Sequence, residues 1–225
     1  RDLHSFPTRR SSDLEIITVP VGQTVTYGAT ASTGYTWWKW TGTHTSTTNA
    51  YSFTMTTSNV ADTANAMQQV SVPTWKNSLT YDGSAQGATA TTLWNNYNTT
   101  SLTIGGTTSG TNATSYNATF TPKSGYCWSD GPTAQKTVSW SIAQKEVSLV
   151  WGDISWIYDG DEHSTTCTAD NLISGDSCTV TLTNNSVGPN VGTTTVTASS
   201  LSNNNYKLPS AHTATLTISK RTITW

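Results

Sequence analysis

A repeat constrains this chain more than any other feature. Residues 151–160 read WGDISWIYDG and residues 75–83 read WKNSLTYDG. The chain stops in residues 218–225, ISKRTITW, which echo IAQKEVSLVW at 142–151. The tryptophans fall at 75, 151 and 225, spacings of 76 (151 − 75) and 74 (225 − 151) residues. Self-similarity at a fixed period marks an array of like modules. For a chain of 225 residues the period decides for several small units over one large domain.

Within each period the pattern is that of strands. Charged residues make up 11% of the chain, against about 25% in an ordinary globular protein. Thr, Ser and Asn stand where Lys and Glu would be, which favours strands and turns: Thr is β-branched, and Asn and Ser form local turn hydrogen bonds. Val25, Tyr27 and Ala29 alternate with polar residues, as do Tyr51, Phe53 and Met55. The same holds for Tyr116, Ala118 and Phe120, and for Ala214, Leu216 and Ile218. Period-two alternation predicts half-buried strands. Clusters of Gly, Asn and Pro between them, such as GGTTSGTN at 105–112, predict turns and a sandwich. Ten Trp and nine Tyr supply the buried area a sandwich of about 75 residues needs. The expected fold is all-β, in tandem small modules.

Several function classes are disfavoured. The net charge is −2 with no basic run, so the cationic stripe of a nucleic-acid binder is missing. No apolar run approaches the ~20 residues of a membrane helix, so no membrane insertion is expected. His44, His163 and His212 are scattered, with no HExxH or CxxC spacing, no Gly-x-Ser-x-Gly and no phosphate loop. No catalysis and no cofactor are expected.

Residues 1–14, RDLHSFPTRRSSDL, hold three of the eleven Lys+Arg residues and lack the Thr-rich alternation. They resemble the translation of a common sequencing-library adapter, and they are excluded from fold reasoning as non-native. The remainder carries 8 Lys+Arg (11 − 3) against 11 Asp+Glu (13 − 2).

Residues 15–67 resemble a divergent internalin B-type repeat of bacterial surface proteins, truncated at its leading hairpin. Tyr35, Trp37 and Trp40 match that family's aromatic strand, and Phe53, Thr54 and Met55 its later one. The resemblance implies a partial β-grasp-like repeat. Trp38 is expected to point away from the Tyr35/Trp37 face. Residues 68–144 and 145–219 resemble the YDG/MBG-type immunoglobulin-like repeats of large bacterial surface proteins, implying two immunoglobulin-like β-sandwiches. The match rests on Tyr-Asp-Gly in both, with Val-Gly-Thr (191–193) and Asn-Tyr-Lys-Leu (205–208) in the second. Residues 220–225 read as the first strand of a further repeat. Together these resemblances imply a non-catalytic, monomeric repeat region of a bacterial cell-surface or secreted protein, extracellular, acting as a stalk or spacer for adhesion.

The alternative is a carbohydrate-binding β-sandwich whose partner is a host or matrix glycan or protein. Trp38, Trp94 and Tyr97 are the aromatics that alternation leaves over, so they are the candidates for stacking on sugar. Cys167 and Cys178 fall in consecutive expected strands and are candidates for a disulfide, with Ala90 at the equivalent of Cys167 in the preceding module. Their Cα atoms would have to approach within about 7 Å. Asp159, Asp161 and Glu162 could supply a Ca²⁺ site, but Asp82, Ser84 and Ala85 stand at the same offsets upstream, so a turn is the better reading.

Overall fold

The computed structural model describes residues 18–225; residues 1–14 lie outside them. Strands hold 49% of the chain and the only helix among the described residues is a 3-10 turn at Thr91–Leu93, so the protein is all-β. Contacts divide it into two compact units. One holds residues 18–76, Ala90–Gly106 and Ala118–Val138; the other holds Asn77–Thr89, Thr107–Asn117 and Ser139–Trp225. Residues 68–144 therefore contribute to both units.

In the first unit, Thr24–Tyr27 pairs antiparallel with Tyr51–Thr54, setting Val25 opposite Phe53 and Tyr27 opposite Tyr51. Tyr35–Gly42 pairs antiparallel with Asp62–Val70, whose end is joined in parallel by Tyr126–Trp128. The register slips between Trp37 and Lys39, so Trp38 is the extra residue of a β-bulge. The bulge resets the alternation and places Trp37 and Trp40, three apart, on one face with ring centroids 5.0 Å apart. Trp40 is buried, with the Tyr27 ring edge-on at 4.3 Å. Further along, Thr74–Trp75 pairs antiparallel with Trp94–Asn95, and Leu102–Gly106 with the second half of Ser115–Pro122. Leu102, Phe120 and Trp128 are buried.

In the second unit, Ser148–Trp151 pairs antiparallel with Cys167–Asp170. Ser155–Ile157 lies parallel to Thr213–Ser219, which runs antiparallel to Gly192–Leu201, itself antiparallel to Val180–Thr183. Val187, Val196, Leu216 and Ile218 form a buried cluster, covered by Trp151, Trp156, Leu182 and Ala214. That interior is drawn from residues between 151 and 218 alone. Leu79–Thr80 lies parallel to Ile142–Ala143, and Tyr116 stacks on buried Trp140 at 4.7 Å.

The pairing plan is written twice. One four-stranded sheet runs Leu79–Thr80, Lys136–Ala143, Ser115–Pro122, Leu102–Gly106; the other runs Ser155–Ile157, Thr213–Ser219, Gly192–Leu201, Val180–Thr183. Thr74–Trp75 with Trp94–Asn95 matches Ser148–Trp151 with Cys167–Asp170. Gln86–Gly87 with Ser109–Gly110 matches His163–Ser164 with Ser186–Val187. Even the short parallel pair recurs, Gln68 opposite Tyr126 and Lys145 opposite Tyr206. Residues 220–225 form no strand and are exposed.

Candidate functional site

The three aromatics expected to face solvent do not meet in one platform. Trp38 is exposed, as its bulge position requires, and Lys39 Nζ sits 4.1 Å from its ring centroid. Trp94 is 2% exposed, which corrects the expectation that it is free to stack on sugar. Its strand position is the reason. Trp94 lies opposite Trp75 as Cys167 lies opposite Trp151, so the structural counterpart of Cys167 is Trp94, not Ala90. Its ring packs edge-on against Trp75 at 4.9 Å and Phe120 at 4.9 Å. Tyr97 is half-buried, edge-on to Phe120 at 5.2 Å, and burial pushes its hydroxyl pKa up. It borders an open cleft of about 430 Å³ with Gln68, Val70, Asn96, Asn98 and Tyr126.

Cys167 and Cys178 are both free thiols, and Cys167 is buried, which raises its pKa. The antiparallel bridge between Thr168 and Thr179 puts the two cysteines on a diagonal, not opposite each other. Diagonal neighbours stand ~7–8 Å apart, at or beyond the reach of a disulfide. Asp159 serves a turn: its Oδ1 accepts from Asp161 N at 3.0 Å and from His163 Nε2 at 3.0 Å. Those bonds hold its carboxyl below the usual range, the Asp161 amide foremost, against the opposing effect of burial. His163 in turn lies flat on Trp156, 5.0 Å away and 9° from parallel, so it covers the core. Among the described residues no group of three or more His, Cys, Asp or Glu side chains is placed to hold a metal ion.

Two polar knots were not legible as such in the sequence. In the first unit the buried Asp62 side chain accepts hydrogen bonds from the Tyr27 hydroxyl, from His44 N at 2.7 Å and from His44 Nδ1 at 2.7 Å. Burial pushes the Asp62 pKa up, but the three donors prevail and hold it below the ordinary value. Tyr27 is pushed well above its ordinary value by burial and by the carboxylate it bonds. The His44 ring packs on Phe53 at 4.4 Å. The knot ties Thr24–Tyr27 and the His44 loop to Asp62–Val70.

The second knot joins the repeats. Tyr81, of the first Tyr-Asp-Gly turn, and Tyr206, of Asn-Tyr-Lys-Leu, both donate to Asp176 Oδ2, at 2.8 and 2.7 Å. The Tyr206 hydroxyl also accepts from Ile173 N at 2.8 Å, and the two rings meet edge-on at 5.5 Å. Local rules position each part. The parallel pairing of Leu79–Thr80 with Ile142–Ala143 aims Tyr81, whose amide donates to Ala143 O at 2.9 Å. Gly83, at φ +80°, turns the chain beside Ile173, where a Cβ would lie 2.6 Å from Ile173 Cγ2. Asn205 adds a second tie, accepting from Ala113 N at 2.8 Å. The hydrogen bonds of Tyr206 and then Tyr81 lower the Asp176 pKa. The Asp176 bond and then burial raise Tyr81, and burial and then the same bond push Tyr206 up to about 12. A carboxylate that accepts from two phenol hydroxyls is a clasp.

Compared with family models, curated proteins and solved structures, the chain matches no family model, no curated protein and no solved structure. No helix among the described residues is long and apolar enough to cross a membrane.

Proposed function

We propose that the chain is a non-catalytic repeat region of a bacterial cell-surface or secreted protein, a stalk or spacer that holds an adhesive part at a distance. The single observation behind this reading is the clasp between copies. The pairing plan occurs twice, and the Tyr-Asp-Gly turn of the first copy is seated on the Asp176/Tyr206 loop of the second. Modules that contact only their neighbours along a chain form quasi-one-dimensional arrays whose stability sums over units and the joints between them. Directional hydrogen bonds and ring packing between successive copies are the kind of joint that a spacer would use. The resemblances at Tyr35–Trp40 and at the Tyr-Asp-Gly turns agree with a surface location.

The second reading, a carbohydrate-binding module, is favoured by one observation, the cleft of amides and aromatic rings beside Tyr97. A glycan array probed with the full chain separates them. The spacer reading expects no saturable binding. Saturable binding that is lost in Tyr97→Ala, with folding retained, would replace it with the carbohydrate reading.

A further inference from the structure

Both copies tie their leading strands to their closing strands in parallel. In the second copy Lys145 and Glu146 lie opposite Tyr206 and Lys207, and Ser155, Trp156 and Ile157 lie opposite Thr217, Ile218 and Ser219. In the first copy residues 68–70 lie opposite Tyr126, Cys127 and Trp128, and Leu79 and Thr80 lie opposite Ile142 and Ala143. The inner pair closes the same length of chain each time: 65 residues from 79 to 143 (143 − 79 + 1) and 65 from 155 to 219 (219 − 155 + 1).

Backbone bonds extend the second copy's inner pair at both ends. Thr217 N donates to Ile154 O at 3.0 Å, and Tyr158 N donates to Ser219 O at 2.8 Å. In the first copy Tyr81 N donates to Ala143 O at 2.9 Å. Packing adds to the bonds. Trp156 lies against the buried cluster that includes Leu216 and Ile218, so its strand cannot slide without drawing the ring off that cluster.

The direction of these pairs decides how they meet a pull along the chain. The chain enters the inner pair at the start of Ser155–Ile157 and leaves it at the end of Thr213–Ser219. Because the two strands run the same way, those points lie at opposite ends of the pair. Tension therefore slides one strand along the other, and the bonds that cross between them are strained together. In an antiparallel pair the same two points would stand side by side, and the bonds would peel apart singly. Forced unfolding is governed by the unfolding barrier, and bonds that must break together make that barrier high along this one direction.

We propose that bearing tension is a function of each copy: Ser155–Ile157 against Thr213–Ser219, and Leu79–Thr80 against the end of Lys136–Ala143, are shear clamps that hold a copy shut when the chain is pulled by its ends. The proposal deepens the spacer reading and takes from it the direction of the load. A spacer under load keeps its length only while its copies stay closed.

Single-molecule stretching of the full chain, held at its two ends, tests this. Two steps of equal length are expected, each releasing the 65 clamped residues, roughly 210–230 Å of extended chain less the width of the folded copy. Five glycines inserted between the exposed Asn184 and Asn185 lengthen one of the two by roughly 17 Å, which assigns that step to the second copy. Handles placed instead at position 161 and at the C-terminus pull from the same end of the inner pair, and the second copy opens at a several-fold lower force. Tyr158→Pro, which deletes the amide bonded to Ser219 O, lowers the force of the assigned step. Thr181→Gly, in the edge strand on the other side of that sheet, lowers stability in denaturant and leaves that force unchanged. Steps absent or of other lengths, equal forces in the two pulling geometries, or a drop with Thr181→Gly as large as with Tyr158→Pro would each overturn the proposal. The change of geometry alters no residue of the pair, so it decides the matter even where Tyr158→Pro fails to fold. None of these readings depends on glycan binding, which the array tests separately.

Discussion

Removing one oxygen from the clasp isolates what it contributes. Tyr206→Phe keeps the buried ring and deletes the hydroxyl that donates to Asp176 Oδ2 at 2.7 Å and accepts from Ile173 N at 2.8 Å. A hydrogen bond to a charged group contributes about 1.5–3 kcal/mol and a neutral one about 1 kcal/mol. The loss is then roughly 2.5–4 kcal/mol, and the orphaned Ile173 amide keeps it from falling to the low end. For a unit of about a hundred residues that lowers Tm by roughly 10–20 °C. Tyr126→Phe is the internal control. Tyr126 holds the same place in the repeat, opposite Gln68, but its hydroxyl has no hydrogen-bond partner among the described residues. Its loss costs within about 0.5 kcal/mol. Denaturant unfolding followed by tryptophan fluorescence, fitted transition by transition, reads both. Equal small effects from the two substitutions would refute the reasoning, because Tyr206 would then be an ordinary buried ring.

The remaining predictions follow from the same contacts. Gly83→Ala and Gly160→Ala both force a side chain into left-handed backbone at about 1–2 kcal/mol, but only Gly83→Ala also drives a Cβ onto Ile173, so it lowers Tm further in the same thermal melt. Trp94→Ala empties a core position and costs about 3–5 kcal/mol, read by denaturant unfolding, while Trp38→Ala stays within about 1 kcal/mol. The pH dependence has two sides. Asp62, with its pKa lowered, stabilises the fold above the ordinary carboxylate range and loses that contribution as pH falls through its folded value. Tyr206, raised to about 12, contributes fully below its ordinary value near 10 and loses the contribution as pH rises through about 12. Melts across acid and alkaline pH, with Asp62→Asn and Tyr206→Phe flattening their respective limbs, check both signs.

Much of the architecture was legible in the sequence because it is written in periods. Two-residue alternation found the strands carrying Phe120, Leu216 and Ile218, all buried, and the repeated tryptophans marked a pairing plan that recurs. What alternation misjudged was phase. A bulge at Trp38 shifts the aromatic strand by one residue and lets Trp37 and Trp40 share a face. Trp94 follows a 3-10 turn, where a period-two count gives no phase, and tertiary pairing with Trp75 turned it inward. The polar partners were less legible still. Asp176 lies in a Ser-Gly-Asp-Ser loop with nothing local to distinguish it, and its role comes from Tyr81, 95 residues away. In the sequence His163 is one of three scattered histidines, yet Trp156 supplies it with a flat partner. The one signal that pointed at the clasp was the recurrence of Tyr before each Asp-Gly, since a turn alone does not need an aromatic there.

The joint between copies is tested most directly by a double-mutant cycle on Tyr81 and Asp176, with Tyr81→Phe, Asp176→Asn and the pair compared in denaturant unfolding of the full chain. Residues that share a hydrogen bond are non-additive, whereas independent sites sum. The clasp predicts that the two changes together cost clearly less than the sum of the single ones. Costs that simply add would mean that Tyr81 and Asp176 do not hold each other, and that the repeats are joined by the Asn205 tie and ring packing without this bond.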